Sequence, residues 1–160
     1  MKKLYLFGNH KMNLTGKDFE AYFKRLSKVA KKLSSGVDEY DVVSEGRDIR
    51  YNARELQPVG VNVNFIEQDG SVLKVRTYEK GVEDETYACG TGIVASCIAA
   101  YKAGIHPSEL LPENKVRYDV KAKKDRLSVV FRPSDSDKGV AEAVQLIGPA
   151  TFVAEINCEI

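Results

Sequence analysis

The residues Cys89-Gly90-Thr91-Gly92 stand directly before the nearly unbroken apolar run IVASCIAAY (93–101). Glycines before such a run predict a helix that starts here, with the thiol at its entrance. A helix N-terminus leaves amide N–H groups unsatisfied and carries a partial positive charge. Glycines at 90 and 92 let those donors approach a ligand, Thr91 can cap, and together they suit a carboxylate. The same field favours the thiolate, the form in which cysteine acts as base or nucleophile. A weak carbon acid beside an anchored carboxylate is what such a base would attack. From the residues alone a second reading stays open, in which Cys89 is a small hydrophobe at the mouth of a buried helix.

The other thiols are placed differently. Cys97 falls in the middle of the same helix and reads as core. Eight residues of helix put its Cα roughly 12 Å from that of Cys89, too far for a disulfide. Cys158 lies near the terminus with no partner to name. Free thiols in a reducing compartment fit this pattern. With His10 and His106 as the two histidines, and no Cys-x-x-Cys pair, no metal site is legible.

The elements that must position Cys89 follow from periodicity. The helix spans Thr91 to Ala103, ended by Gly104 and followed by Pro107, with Ile93, Val94, Ile98 and Ala99 expected to be buried. It has almost no polar face, so it must be covered on most sides. Strands are expected at Val61–Glu67 and Val72–Glu79 around an Asp69-Gly70 turn, and at 116–120 and 127–131 around Lys124-Asp125. A last pair is expected at Val144–Ile147 and Phe152–Ile156, broken by Gly148-Pro149. PSDSDKG (133–139) reads as a polar loop. The fold class is α+β, with mostly antiparallel strands curled around one apolar helix.

Ahead of this lies a different texture. KLYLF (3–7) predicts a short strand ending at Gly8. Thr15-Gly16-Lys17-Asp18 opens an amphipathic helix with Phe19, Tyr22, Phe23, Leu26, Val29 and Leu33 on one face and lysines on the other. Ser34-Ser35-Gly36 ends it. Residues 1–36 are thus a strand-plus-helix extension, and 37–160 a second unit.

Composition is that of an ordinary globular chain: 160 residues, 43% hydrophobic, 29% charged, net charge +1. A near-neutral balance gives no field that would imply nucleic acid or a membrane surface. The basic run at 24–32 reads as a solvated helix face. No run approaches a membrane span, and the charged N-terminus does not read as a signal peptide, so a cytoplasmic protein is expected.

Several ordered stretches, NVNFIE (62–67), VRTYEKGVEDETYACGTG (75–92) and QLIGPATFVAEI (145–156), resemble the C-terminal half of diaminopimelate epimerase. GRDIRYN (46–52) resembles a stretch that precedes them. The likeness covers roughly residues 38–160. It implies two alike domains, each a curled sheet around a central helix, with the active site between them and no pyridoxal phosphate or other cofactor. One cysteine per domain faces each side of the substrate α-carbon. The resemblance makes Cys89 the C-terminal-domain cysteine, and Gly90 and Thr91 the backbone donors to the reacting carboxylate. Asn62 and Glu79 match residues that contact the distal amino-acid end. Lys80 stands where arginine is usual, keeping the charge but losing the bidentate fork. Taken singly, Asn62 also reads as a strand-edge residue, and Glu79 with Lys80 as a hairpin-end charge pair.

The family's other cysteine sits in a Cys-Gly-Asn-Gly type turn, and this sequence has none. In its place MKKLYLFGNHKMN (1–13) resembles the opening strand of triosephosphate isomerase, with Asn9 and Lys11 matching substrate-contacting residues and His10 replacing tryptophan. The later catalytic residues of that family are missing, and a closed barrel needs about 200 residues or more. The expectation is therefore a junction near 34–38 and an amino-acid epimerase half-enzyme with Cys89 as one of two bases. Its expected partners are a small amino-acid substrate and either a second copy or a complementary epimerase domain. The alternative is a non-catalytic domain that binds amino-acid-like ligands or a partner subunit.

Overall fold

The computed structural model describes residues 4–9, 36–52, 61–134 and 141–156. The expected amphipathic helix, His10, Lys11 and Cys158 lie outside them.

The sheet grows from a hairpin. β2 (Asn62–Asp69) and β3 (Val72–Glu79) pair antiparallel from Val63 opposite Tyr78 to Asp69 opposite Val72. Gly70 takes the first turn position with φ 61°, a conformation that favours glycine. A second hairpin, β6 (Lys115–Lys121) with β7 (Arg126–Pro133), matches the alternation of Val116, Tyr118 and Val120 against Leu127, Val129 and Phe131. β8 (Ala141–Ile147) pairs with β7 at one edge, and β1 (Leu4–Asn9) pairs antiparallel with β2 at the other, Asn9 opposite Asn62. The strand resembling triosephosphate isomerase is thus an antiparallel strand of this sheet, unlike the parallel strands of that barrel. Short strands β4 (Asp84–Thr86) and β5 (Glu109–Leu111) flank β3 and β6. The main order is β1-β2-β3-β6-β7-β8.

β3 and β6 meet in parallel, Val72 to Asp119. A parallel joint needs a long crossover, usually helical. That crossover contains α2 (Gly90–Lys102), which the connection lays across the sheet. Its end forms a Schellman motif: Gly104 at φ 77°, its N–H donating to Tyr101 O at 3.0 Å, and Ile105 N–H donating to Ala100 O at 2.9 Å. Ile93, Cys97 and Ala100 enter a core with Ile66, Leu73, Val75, Ile105, Val116, Tyr118, Val120, Val129 and Phe131. Tyr118 and Phe131 stack there with centroids 6.0 Å apart, and the Tyr118 hydroxyl donates to Ile105 O at 2.6 Å. Of the four helix residues expected to be buried, Ile93 is; Val94, Ile98 and Ala99 are half-buried and pack against the core's margin.

Two expectations need correction. The strands were expected to curl around one apolar helix, but a second helix, α1 (Val42–Asn52), is present. Its buried stripe is Val42, Gly46 and Arg50, so helical spacing is present but two of three members are not apolar. Gly46 is there because a Cβ would lie 2.4 Å from Tyr78 Cβ, and Asp41 caps the helix by accepting Ser44 N–H at 3.0 Å. Residues 152–156, expected as a strand, have no regular structure, and Phe152 and Val153 are 82% and 90% exposed. β2 and β3 therefore carry a helix on each face: Ile66 and Val75 turn towards α2, while Phe65 and Tyr78 turn towards the 37–40 turn and α1.

Ile93→Ala should lower stability by about 2–5 kcal/mol, the usual cost of emptying an enclosed aliphatic site. Urea unfolding of the variant beside the parent measures it; an unchanged midpoint would remove α2 from the core.

Candidate active site

Cys89 is the N-cap of α2, in extended conformation, and its carbonyl accepts the first intrahelical bond from Ile93 N–H at 2.8 Å. The amides of Gly90, Thr91 and Gly92 precede that bond, so they are the donors a helix start leaves over. The Cys89 side chain itself makes no capping bond. It is 6% exposed, and its Sγ lies 3.4 Å from Asn62 Nδ2, which donates to it, and 3.7 Å from Thr91 Oγ1. Thr91, expected to cap, is exposed, and its hydroxyl pairs with the thiol instead.

Asn62 joins two of the expected residues. While its Nδ2 faces Cys89, its Oδ1 accepts the backbone N–H of Lys80 at 2.9 Å. The strand-edge reading of Asn62 is therefore too simple, since both functions of a 7% exposed carboxamide are used across the hairpin end. Glu79 is half-buried at the end of β3 and Lys80 is exposed in the turn that follows. Among the described residues these two form no ion pair with one another. The turn is fixed by Glu83, at φ 58°, whose N–H donates to Glu79 O at 2.8 Å and whose carboxylate accepts from Arg50 and Tyr78.

The sequence reading missed Asn64. Alternation puts Asn62 and Asn64 on one face of β2, and an asparagine inside a buried strand was the available signal. Asn64 is fully buried and accepts the Thr77 hydroxyl at 2.8 Å. A Cβ at position 92 would come within 2.5 Å of Asn64 Oδ1 and 3.3 Å of Cys89 Sγ. Gly92 thus serves close helix–strand packing. Gly90 meets β8, where a Cβ would touch Leu146 at 3.1 Å.

Cys97 sits in the core, where burial pushes its thiol well above the ordinary cysteine value. Among the described residues no group of three His, Cys, Asp or Glu could hold a metal, and no described helix is long and apolar enough to cross a membrane. A groove of about 370 Å³ on the outer side of β6 and β7, lined by Arg117, Asp119, Arg126 and Ser128, includes none of the candidate residues.

β4 leads into the thiol, and its Glu85 is held by Arg76 and Lys123. Burial works against ionisation of Glu85, but the hydrogen bonds from Arg76 and Lys123 outweigh it and keep the carboxyl below its usual value.

Fold and site define an α+β domain with a mostly antiparallel sheet and a buried thiol at a helix start, beside an asparagine. No family model matches the chain, and no solved structure matches it significantly. Curated proteins do. The diaminopimelate epimerase of Chlorobaculum tepidum is 41% identical over 120 residues, 74% of this chain and 42% of that protein. That of Flavobacterium psychrophilum is 37% identical over 125 residues, 78% and 44%. That of Thermotoga maritima is 53% identical over 60 residues, 38% and 23%. The chain is similar to a segment of diaminopimelate epimerase, an isomerase, and spans less than half the length of the relatives it matches.

Two outcomes are expected. Gly92→Ala should destabilise the chain by about 1–3 kcal/mol, as overpacking does, because Asn64 is fixed by Thr77 and cannot swing away freely; thermal melts check this. Glu85, with its folded-state value lowered, adds stability that is complete above the ordinary carboxylate range and is lost as pH falls through the folded value. Unfolding midpoints followed from neutral into acid should fall, and Glu85→Gln should make that fall shallower.

Proposed function

We propose that this chain is one half of a cofactor-independent amino-acid epimerase site acting on diaminopimelate, with Cys89 as one of two bases. The observation that carries the reading is the placement of the Cys89 thiol at the start of α2, within 3.4 Å of the Asn62 carboxamide. The amides of Gly90 and Thr91 hold the reacting carboxylate, which lowers the cost of carbanion character at the adjacent carbon. Cys89 removes the α-proton on one face as thiolate, becoming the thiol, and in the reverse direction returns a proton as thiol. Asn62, Glu79 and Lys80 bind the distal amino-acid end. The Asn62 bond to the Lys80 amide links the two ends of that cleft.

Supporting the epimerase-like architecture, α2 contacts β1, β2 and β3 and also β7 and β8. The opposite face of the substrate needs a second base. Cys97 is enclosed in the core and cannot supply it. A complementary domain would meet the Cys89 end, where Leu146 of β8 borders Gly90 and is itself 44% exposed, an apolar side chain left to solvent beside the helix start. The working compartment in this reading is the cytoplasm, where a thiol base stays reduced.

A non-catalytic reading, in which the same helix start binds an amino acid or the chain serves a partner subunit, is favoured by the enclosure of Cys97. The two part on one experiment. In deuterated buffer the isolated chain should convert little or no LL- to meso-diaminopimelate, since losing one partner of a proton-transfer pair costs about 100- to 10,000-fold. It should still exchange the α-proton slowly, and Cys89→Ala should abolish that exchange. Binding without exchange would sink the base assignment and leave the non-catalytic domain; robust epimerisation by the monomer would reveal a second base in this chain.

A further inference from the structure

Main-chain support for Cys89 on its N-terminal side is slight. β4 has three residues, and Tyr87 and Ala88, between it and the thiol, are exposed and outside any regular element. A reacting side chain must hold its place to within about 0.5 Å, which a three-residue ladder on one neighbour does not secure.

A side-chain junction on the other face of the sheet supplies what the ladder lacks. Arg76 donates through Nε and Nη2 to the two oxygens of Glu85, at 2.6 and 2.8 Å. Lys123 Nζ adds a third bond to Glu85 at 2.8 Å, and the Glu85 side chain is 4% exposed. Arg76 Nη1 donates to the carbonyls of Val37, Asp38 and Tyr40 at 2.6, 3.2 and 2.9 Å. One guanidinium therefore ties together the 37–40 turn, β3 and β4. The planar fork makes this geometry, and a single ammonium cannot occupy both ends of it.

We infer that Arg76 and Glu85 are positioning residues for Cys89: their junction fixes β4, and with it the point at which the chain delivers the thiol to Asn62 and the start of α2. Neither residue belongs to the hydrophobic cluster that encloses Cys97. Loosening the junction should release Cys89 locally while the core stays closed. The inference rests on the reading of Cys89 as the reacting thiol, but its test does not use turnover.

The test is iodoacetamide labelling of the native chain, with the extent at Cys89 and Cys97 read separately by mass spectrometry. Arg76→Lys keeps a cation but loses the fork; Glu85→Gln keeps the shape and leaves the Arg76 carbonyl contacts in place. In both, Cys89 should label several-fold faster than in the parent while Cys97 stays protected. Cys89 labelling at the parental rate or slower in both would overturn the inference. A rise at Cys89 and Cys97 together in both variants would overturn it too, since the junction would then be a general stabiliser. If the parent fails to exchange the α-proton yet the variants show the split, the base assignment falls and the positioning of Cys89 stands.

Discussion

The start of α2 is pressed so closely onto β2 that no side chain fits at position 92. The Asn64 carboxamide occupies the space a Cβ would need, and the Cys89 sulfur borders the same point. This contact sets the height of the helix above the sheet, and through it the position of the thiol. It also explains the polar floor beneath Cys89. Polar groups buried at a helix–strand contact are costly unless bonded. Asn62 bonds to the thiol and to the Lys80 amide and Asn64 Oδ1 accepts the Thr77 hydroxyl, while Asn64 Nδ2 has no partner among the described residues.

The two faces of the β2–β3 hairpin do different work. Towards α2, residues at alternate positions shift from apolar, Ile66 and Leu73 near the turn, to polar, Asn62, Asn64 and Thr77, at the open end. Towards α1 the buried groups are charged as well as aromatic: Arg50, Arg76 and Glu85 beside Tyr78 and Phe65. Such pairs fix geometry more than they add stability, because desolvation offsets most of the attraction. The charged face holds the turn at 80–83 and β4 in register, and the polar end of the other face meets Cys89.

The chain's length bears on the same site. The relatives are more than twice as long as the segment they share with it. β8 borders the helix start through Leu146, and β8 and the stretch after it carry exposed apolar side chains at 144, 146, 147, 152 and 153. An edge strand with apolar neighbours is a surface that favours association.

Periodicity and punctuation in the sequence were enough for the two hairpins, for α2 and its glycine-ended terminus, and for a thiol at the helix entrance. Each is a local rule: alternation makes a strand, Gly104 accepts the left-handed cap, and an apolar run behind glycines makes a buried helix. The ordered motifs also carried the likeness to diaminopimelate epimerase, and with it Asn62, Glu79 and Lys80 as candidates. Tertiary structure decided the rest. α1 was hidden because Gly46 and Arg50 form its buried stripe, and they do so only once Tyr78 and Glu83 lie against them. Phe152 to Ile156 read as a strand, yet no described neighbour pairs with it, and a strand exists only with a partner. Asn64 and the Arg76–Glu85 junction depend on contacts between residues 9 to 39 positions apart in the sequence. A periodic pattern records which side chains share a face; it does not record which other segment that face will meet.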